Sequence, residues 1–209
     1  MEKVLILVGG NDRYHDVLTA GQVMQKYLIS RGILAEYSQD FSILCREQIN
    51  EYDVCIFYTQ NKLLTKEEQQ ALRDRVAEGM GFIPLHAVNA IEGSDQELFL
   101  KLIGSEFIRH DPFKRFTVEF TEEQHFITEN MEDFKIDDEL YVTEYTDKVD
   151  TVLAQAEQDG KYYPMIYIKR LDKGKICYCA LGHDGRAWYN PAFEELLYRM
   201  VIWSAKKDW

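Results

Sequence analysis

The sequence lacks the features that announce the commonest chemistries. Its four cysteines, Cys45, Cys55, Cys177 and Cys179, form no C-x-x-C pair, and Cys177 and Cys179 alternate within a strand-like run. They read as structural thiols of a reducing compartment, not as a disulfide framework or a redox motif. There is no H-E-x-x-H, no G-x-G-x-x-G, and no Lys-Ser/Thr after Gly9-Gly10 to complete a phosphate-binding loop. That glycine pair therefore reads first as a tight turn. Positive charge is also scarce, with 24 Lys and Arg against 36 Asp and Glu, a net charge of -12 and no basic block. Nucleic acid and anionic membranes are excluded as expected partners. No apolar run is long enough to span a bilayer. The N-terminal run Val4 to Val8 is too short for a signal core and meets glycine at once, so it reads as a strand. The expectation is a soluble, cytoplasmic protein.

What is present is an ordinary globular chain, 209 residues with 46% hydrophobic content, enough for one sizeable core. Val4 to Val8 is a continuous apolar run, as in a strand buried on both faces. Asp16 can cap a helix over Val17 to Arg31, whose stripe is Val17, Ala20, Val23, Met24, Tyr27 and Leu28, with Gly32 as its stop. Ile33 to Tyr37 and Val54 to Tyr58 read as strands, with a helical turn over Cys45 to Asn50 between them. Thr65-Lys66-Glu67-Glu68 is a capping-box signature opening a helix to Glu78. The apolar run Phe82 to Leu85 then ends at His86. This β-α-β-β-α-β order predicts a parallel sheet with crossover helices.

After a helix from about Ser94 to Ile103 the pattern changes. Phe116 to Phe120 and Val152 to Ala156 alternate, and Pro164 to Ile168 and Lys175 to Ala180 flank a turn at Leu171 to Gly174. These read as antiparallel strands added to the parallel core. Pro191 to Ala205 is a final helix with proline at its first position. No linker, repeat or low-complexity segment interrupts the chain, so residues 1–209 read as a single domain. The aromatic C-terminus, ending at Trp209, fits burial within the chain or against a second copy in a homo-oligomer.

Histidines carry the functional signal. His15, His86 and His183 each follow a predicted strand, and in an open α/β sheet ligands bind beyond the carboxyl ends of the strands. In a flavodoxin-like strand order the loops after these strands face one crevice. His110 lies in the connection after the helix that follows His86 and can fold back over it. Neutral imidazoles are ligands for zinc and suit iron, and they are also general acids and bases near neutral pH. Asp16, Asp184 and Glu139 are available as ligand or orienting carboxylates. Against this stands the plainer reading of each histidine as a hydrogen-bonded structural residue. Trp188 and Tyr189 follow His183 in a loop, where aromatic faces can stack on sugar rings.

Taken together, Val8-Gly9-Gly10 with Tyr14-His15-Asp16, Gly81 to His86, Asp138-Glu139-Leu140-Tyr141, and Gly174-Lys175 with Ala180 to Asp184 and Trp188 resemble the ThuA-like (trehalose utilisation) family. The resemblance implies an α/β, flavodoxin-like three-layer sandwich of the class I glutamine amidotransferase-like kind, with a mostly parallel central sheet and added antiparallel strands. In that superfamily a nucleophilic cysteine sits at the turn after the central strand. Here His86 stands there, in Pro84-Leu85-His86-Ala87, so glutamine amide transfer is not expected. Pro84 replaces the family's usual glycine, and His125-Phe126 departs from its His-Pro, which leaves His125 outside the expected site.

The resemblance implies a sugar or sugar derivative as the small-molecule partner. His86, His15, His183, Glu139 and Asp184 are the expected catalytic groups. Gly10, Asn11, Tyr14, His110 and Trp188 are the expected ligand contacts. One divalent metal (zinc, manganese or iron) would sit on His15, His86 and His183. Hydrolase, isomerase and lyase chemistry all fit, and a noncatalytic sugar-binding or regulatory protein on the same fold is the alternative.

Overall fold

A computed structural model describes residues 1–11, 13–93 and 95–206. Nine strands form one mixed sheet in the order β2-β1-β3-β4-β11-β10-β9-β6-β7. Its parallel half comprises β1 (Lys3–Gly10), β2 (Leu34–Ser38), β3 (Val54–Gln60), β4 (Gly81–Leu85) and β11 (Gly174–Cys179). Its antiparallel half comprises β10 (Lys161–Leu171), β9 (Thr151–Gln158), β6 (Lys114–Phe120) and β7 (Phe134–Asp138). A separate antiparallel pair, β5 (Ser105–His110) and β8 (Tyr141–Tyr145), completes the strands.

The helices lie on both faces of the sheet. α2 (Lys66–Glu78) and α3 (Glu97–Ile103) cover one, where a Cβ added at Gly174 would meet Val76 and where Phe57, Phe82 and Phe99 pack ring to ring. α5 (Pro191–Ala205) covers the other, where a Cβ at Gly81 would fall 2.6 Å from Ser204. α1 (Val17–Ser30) joins it there, tied by the Arg31–Glu195 ion pair at 3.0 Å. The chain's predicted end signals act as expected. Asp16 accepts from Thr19 N at 3.0 Å, the Thr65/Glu68 capping box is formed on both sides, and Pro191 opens α5. Four strands, β1, β3, β4 and β11, are apolar on both faces, which is why their sequences run without alternation.

Four expectations need correction. Lys175 to Ala180 is not a purely antiparallel addition: β11 pairs parallel to β4 (Ile176 with Phe82, Cys179 with Leu85) and antiparallel only to β10. Gly9 and Gly10 belong to β1 and not to the following loop, and Pro84 lies inside β4, so the turn begins at His86. The helix expected from about Ser94 begins at Glu97 among the described residues. β5, β7 and β8 were not foreseen, because they are short and their burial patterns are irregular. Trp209 lies outside the described residues. Among those described, no helix is long and apolar enough to cross a membrane.

Candidate functional site

Because β1, β3, β4 and β11 run parallel, their carboxyl ends share one edge of the sheet. Gln60 ends β3, His86 follows β4 directly, His15 lies five residues beyond β1, and His183 lies just past β11. The antiparallel half reaches the same place through the β7–β8 turn, which carries Glu139.

The side chains converge tightly. His86 Nε2 is 3.0 Å from His15 Nε2, and His15 Nε2 is 3.2 Å from His183 Nδ1. Glu139 Oε2 lies 3.1 Å from His183 Nδ1 and 3.6 Å from His86 Nε2. Ligand atoms from His15, His86, Glu139 and His183 all fall within 4.8 Å of one another, a donor set that could hold a metal ion. Two ligands about 2.0–2.1 Å from a zinc ion in tetrahedral array lie roughly 3.3 Å apart, close to the shorter spacings here.

Two outer contacts fix the proton positions. His86 Nδ1 is 2.8 Å from the Ala180 carbonyl, which can only accept, so Nδ1 carries the proton. Likewise His15 Nδ1 donates to Gln60 Oε1 at 3.0 Å. In the neutral rings both Nε2 atoms are therefore bare, and they face each other. His86 itself sits at φ 50, a left-handed conformation unusual for a residue with a Cβ. Its side chain is 0% exposed and its ring lies 4.3 Å from that of Tyr141.

Burial sets the electrostatics. Desolvation first, and then the nearby His86, push the His15 imidazole from 6.5 down to about 4. Desolvation also opposes the charged form of His183, but the hydrogen bond and charge of Glu139 outweigh it and raise the pKa. Burial alone would lift the Glu139 carboxyl, yet hydrogen bonds from His183 and His86 hold it well below the usual carboxylate range.

Asp138 escaped the sequence reading as a site residue. It is fully buried and accepts from the backbone N–H groups of Gly182 (2.7 Å), His183 (3.1 Å) and Glu139 (2.8 Å). It thereby fixes two loops that carry cluster side chains. Gln60 was missed as well. Both are polar residues at strand ends, and only the tertiary pairing shows what they face.

His15, Glu139 and His183 floor a hollow of about 460 Å³ walled by Phe107, Tyr141 and Ala90, with Arg13, Tyr14 and His110 around it, while the fully buried His86 does not line it. His110 Nδ1 lies 3.6 Å from Glu139 Oε1 and 2.8 Å from the Asp111 carbonyl, so it borders the cluster without joining it. A Cβ at Gly10 would fall 2.0 Å from the Gln60 carbonyl, so this glycine permits the close approach that brings Gln60 to His15. Asn11 turns inward on its own loop, accepting from Arg13 N at 3.0 Å. Asp184 caps the single-turn helix α4 (Gly185–Trp188) and pairs with Arg186, and the Trp188 ring packs on Tyr58 and Phe193. Both border an adjoining hollow rather than the cluster. His125 packs on Trp203 beside a larger hollow of about 650 Å³ that holds no histidine of the cluster.

The model of the ThuA family, described as trehalose utilisation, matches residues 3–204. No curated protein matches the chain. Among solved structures, it is similar to a ThuA-like protein of Parabacteroides merdae at 16% identity, TM-score 0.86, covering 98% of this chain and 90% of that one. It is similar to a protein of Salmonella typhimurium LT2 described as cytoplasmic, at 13% identity and TM-score 0.70, covering 99% of this chain and 100% of that one. A β-galactosidase of Bacillus circulans matches at 11% identity and TM-score 0.67, with 98% of this chain covered but 30% of that one. At these identities the likenesses establish the fold alone.

Proposed function

This chain belongs to the ThuA family, and we propose that it acts in the utilisation of trehalose or a related sugar. In this reading it is a cytoplasmic enzyme that takes a sugar or sugar derivative into the hollow over His15, His86, His183 and Glu139. A divalent cation, zinc, manganese or iron, is held by those four side chains. The observation that carries the reading is the pair of bare Nε2 atoms on His15 and His86, 3.0 Å apart. Two lone pairs at that distance repel unless a cation or a proton lies between them. The other nitrogen of each ring is already anchored, as expected where imidazoles are oriented as ligands. A mixed imidazole and carboxylate set suits these metals.

When bound, such a cation would polarise a carbonyl or hydroxyl oxygen, or activate water. The chain's own groups supply the rest. His110, outside that ligand set and with its Nδ1 3.6 Å from Glu139 Oε1, is a group that can take up or deliver a proton beside the hollow. Tyr141 and Phe107 exclude water from one side, and Arg13 and His110 offer donors to sugar oxygens. Hydrolysis, isomerisation and elimination all fit this inventory. Amide transfer does not, because His86 occupies the turn where a nucleophile would stand. That same missing nucleophile favours a second reading, a sugar-binding protein without turnover.

The deciding experiment is elemental analysis of protein purified without chelator or histidine tag, followed by turnover assays on sugars and keto-sugars. About one ion per chain, lost in Glu139→Gln together with turnover, is the expected result. Absence of metal even after soaking in excess would sink the cation reading. Sugar binding without turnover would select the noncatalytic one.

A further inference from the structure

We infer that Tyr178 is a positioning residue for His86: its phenol holds the His86 carbonyl and so keeps His86 Nε2 aimed at His15. The inference rests on the cation reading of the cluster only where metal affinity is measured.

His86 needs holding. At φ 50 it occupies a left-handed conformation that persists in a residue with a Cβ only where the surroundings over-determine it. The neighbouring strand β11 supplies two grips. The carbonyl of Ala180, the residue after β11, takes the ring proton on Nδ1 at 2.8 Å. Two residues earlier on the same chain segment, Tyr178 OH lies 3.2 Å from the His86 carbonyl oxygen. The first contact fixes the side chain. The second fixes the peptide plane that follows His86, and with it the backbone angles that set the direction of the ring.

The direction of the phenol proton is fixed as well, through a relay of buried side chains. Tyr167 OH is 3.0 Å from the Ile103 carbonyl, which can only accept, so its single proton goes there. Ser105 Oγ, 2.8 Å from Tyr167 OH, must then donate in that pair. With its proton used, Ser105 Oγ accepts from Asn89 Nδ2 at 2.9 Å. The Asn89 amide is thereby oriented with Oδ1 towards Tyr178 OH, at 3.4 Å. Tyr178 meets two acceptors, Asn89 Oδ1 and the His86 carbonyl, and its proton is shared between them. Asn89, Ser105, Tyr167 and Tyr178 are all closed to solvent, so water does not compete for these bonds.

Packing does not account for the hydroxyls. Tyr178 lies opposite Tyr167 in the β10–β11 ladder with the rings stacked at 4.9 Å, a contact that phenylalanine makes equally well. Carrying polar groups into the core costs desolvation unless each finds a partner. Here the relay ends on the carbonyl of a cluster residue, and that is the service the Tyr178 hydroxyl performs.

The test uses the full-length protein with 15N-labelled histidine and the variants Tyr178→Phe and Tyr167→Phe, both of which keep their rings and their stack. Nitrogen NMR of metal-free protein at neutral pH reads the tautomer of His86 directly. Wild type and Tyr167→Phe are expected to show one tautomer, with Nδ1 protonated and Nε2 bare. Tyr178→Phe is expected to show averaged ring nitrogens, as the ring leaves the Ala180 carbonyl, and to bind zinc about tenfold more weakly. Thermal melts of the three proteins separate this from loosening of the core, since Tyr167→Phe also loses a buried hydroxyl. Unchanged His86 resonances in Tyr178→Phe would overturn the inference. So would equal losses of zinc affinity in the two variants, which would make the hydroxyls structural. Averaged resonances in a Tyr178→Phe protein whose wild type takes no zinc would sink the cation reading and leave Tyr178 as the residue that positions His86.

Discussion

His15 and His86 aim their Nε2 atoms at each other across 3.0 Å, while the Nδ1 of each ring is tied to an oxygen behind it. The arrangement is unfavourable for two neutral imidazoles and favourable for two ligands of one cation. Its geometry depends on partners that touch no ligand themselves, and those partners make the sharpest tests.

Gln60 is the partner most easily removed. Gln60→Leu keeps the volume but takes away the oxygen that holds the proton on His15 Nδ1. Removing an orienting partner of this kind weakens metal binding by about 10–100-fold. Zinc titration of wild type and variant should show that loss with little change in melting temperature. An unchanged affinity would mean that the His15 tautomer is set elsewhere.

Titration of the cluster should leave a mark on stability. His15 ordinarily titrates at 6.5 and is held at about 4 in the fold. Between those values the unfolded chain binds the proton and the folded one does not, so stability falls as pH falls from 6.5 towards 4. The expected loss from this group is about 2 kcal/mol by pH 5. His183, with its raised pKa, acts in the opposite sense: its contribution is complete below 6.5 and fades only as pH rises through its folded value. Glu139, with its lowered pKa, contributes above 4.5 and loses that contribution only as pH falls through its folded value. Denaturation of chelator-treated protein at pH 7 and pH 5 should therefore show a slope that His15→Gln flattens. Parallel slopes would show that His15 is protonated in the folded state.

Much of this was legible in the chain because the parallel core writes plainly. The apolar runs ending at Gly10, Gln60 and Leu85 mark strands buried on both faces, and each histidine after such a run marks a carboxyl end. His15, His86 and His183 could be grouped on that basis, with Glu139 among the carboxylates available to them. Asp138 and Gln60 could not be given a role, because an acceptor's function depends on which N–H faces it. The two-hollow arrangement was equally hidden. Trp188 and Tyr189 are adjacent in sequence, yet one ring is consumed by Tyr58 and Phe193 while the other stays in water.

Asp138 should prove to be a positioning residue of high cost. Its two oxygens accept three backbone N–H groups in a site closed to water. Burial raises its pKa, and the three donors work against that rise. Asp138→Asn would turn one acceptor into a donor facing an N–H, leaving at least one buried group unpaired. The expected cost is about 3 kcal/mol, visible as a lower urea midpoint with an unchanged slope, together with weaker metal binding as the His183 loop shifts. Equal stability of the variant would mean that the loop is held by other contacts.

His86 separates structure from function through two substitutions at one position. Its backbone sits at φ 50, which costs an ordinary residue about 1–3 kcal/mol and asparagine less. The Asn amide nitrogen overlays the imidazole Nδ1, so His86→Asn can keep the bond to the Ala180 carbonyl while losing Nε2. His86→Ala loses both and leaves that carbonyl unpaired in a site closed to solvent. The alanine variant should be destabilised by about 2–4 kcal/mol, and the asparagine variant should stay within about 1 kcal/mol of wild type because relief at the backbone offsets the smaller ring volume. Both should lose metal affinity. Thermal melts and zinc titrations of the pair check this, and an asparagine variant that binds metal as well as wild type would remove His86 from the site.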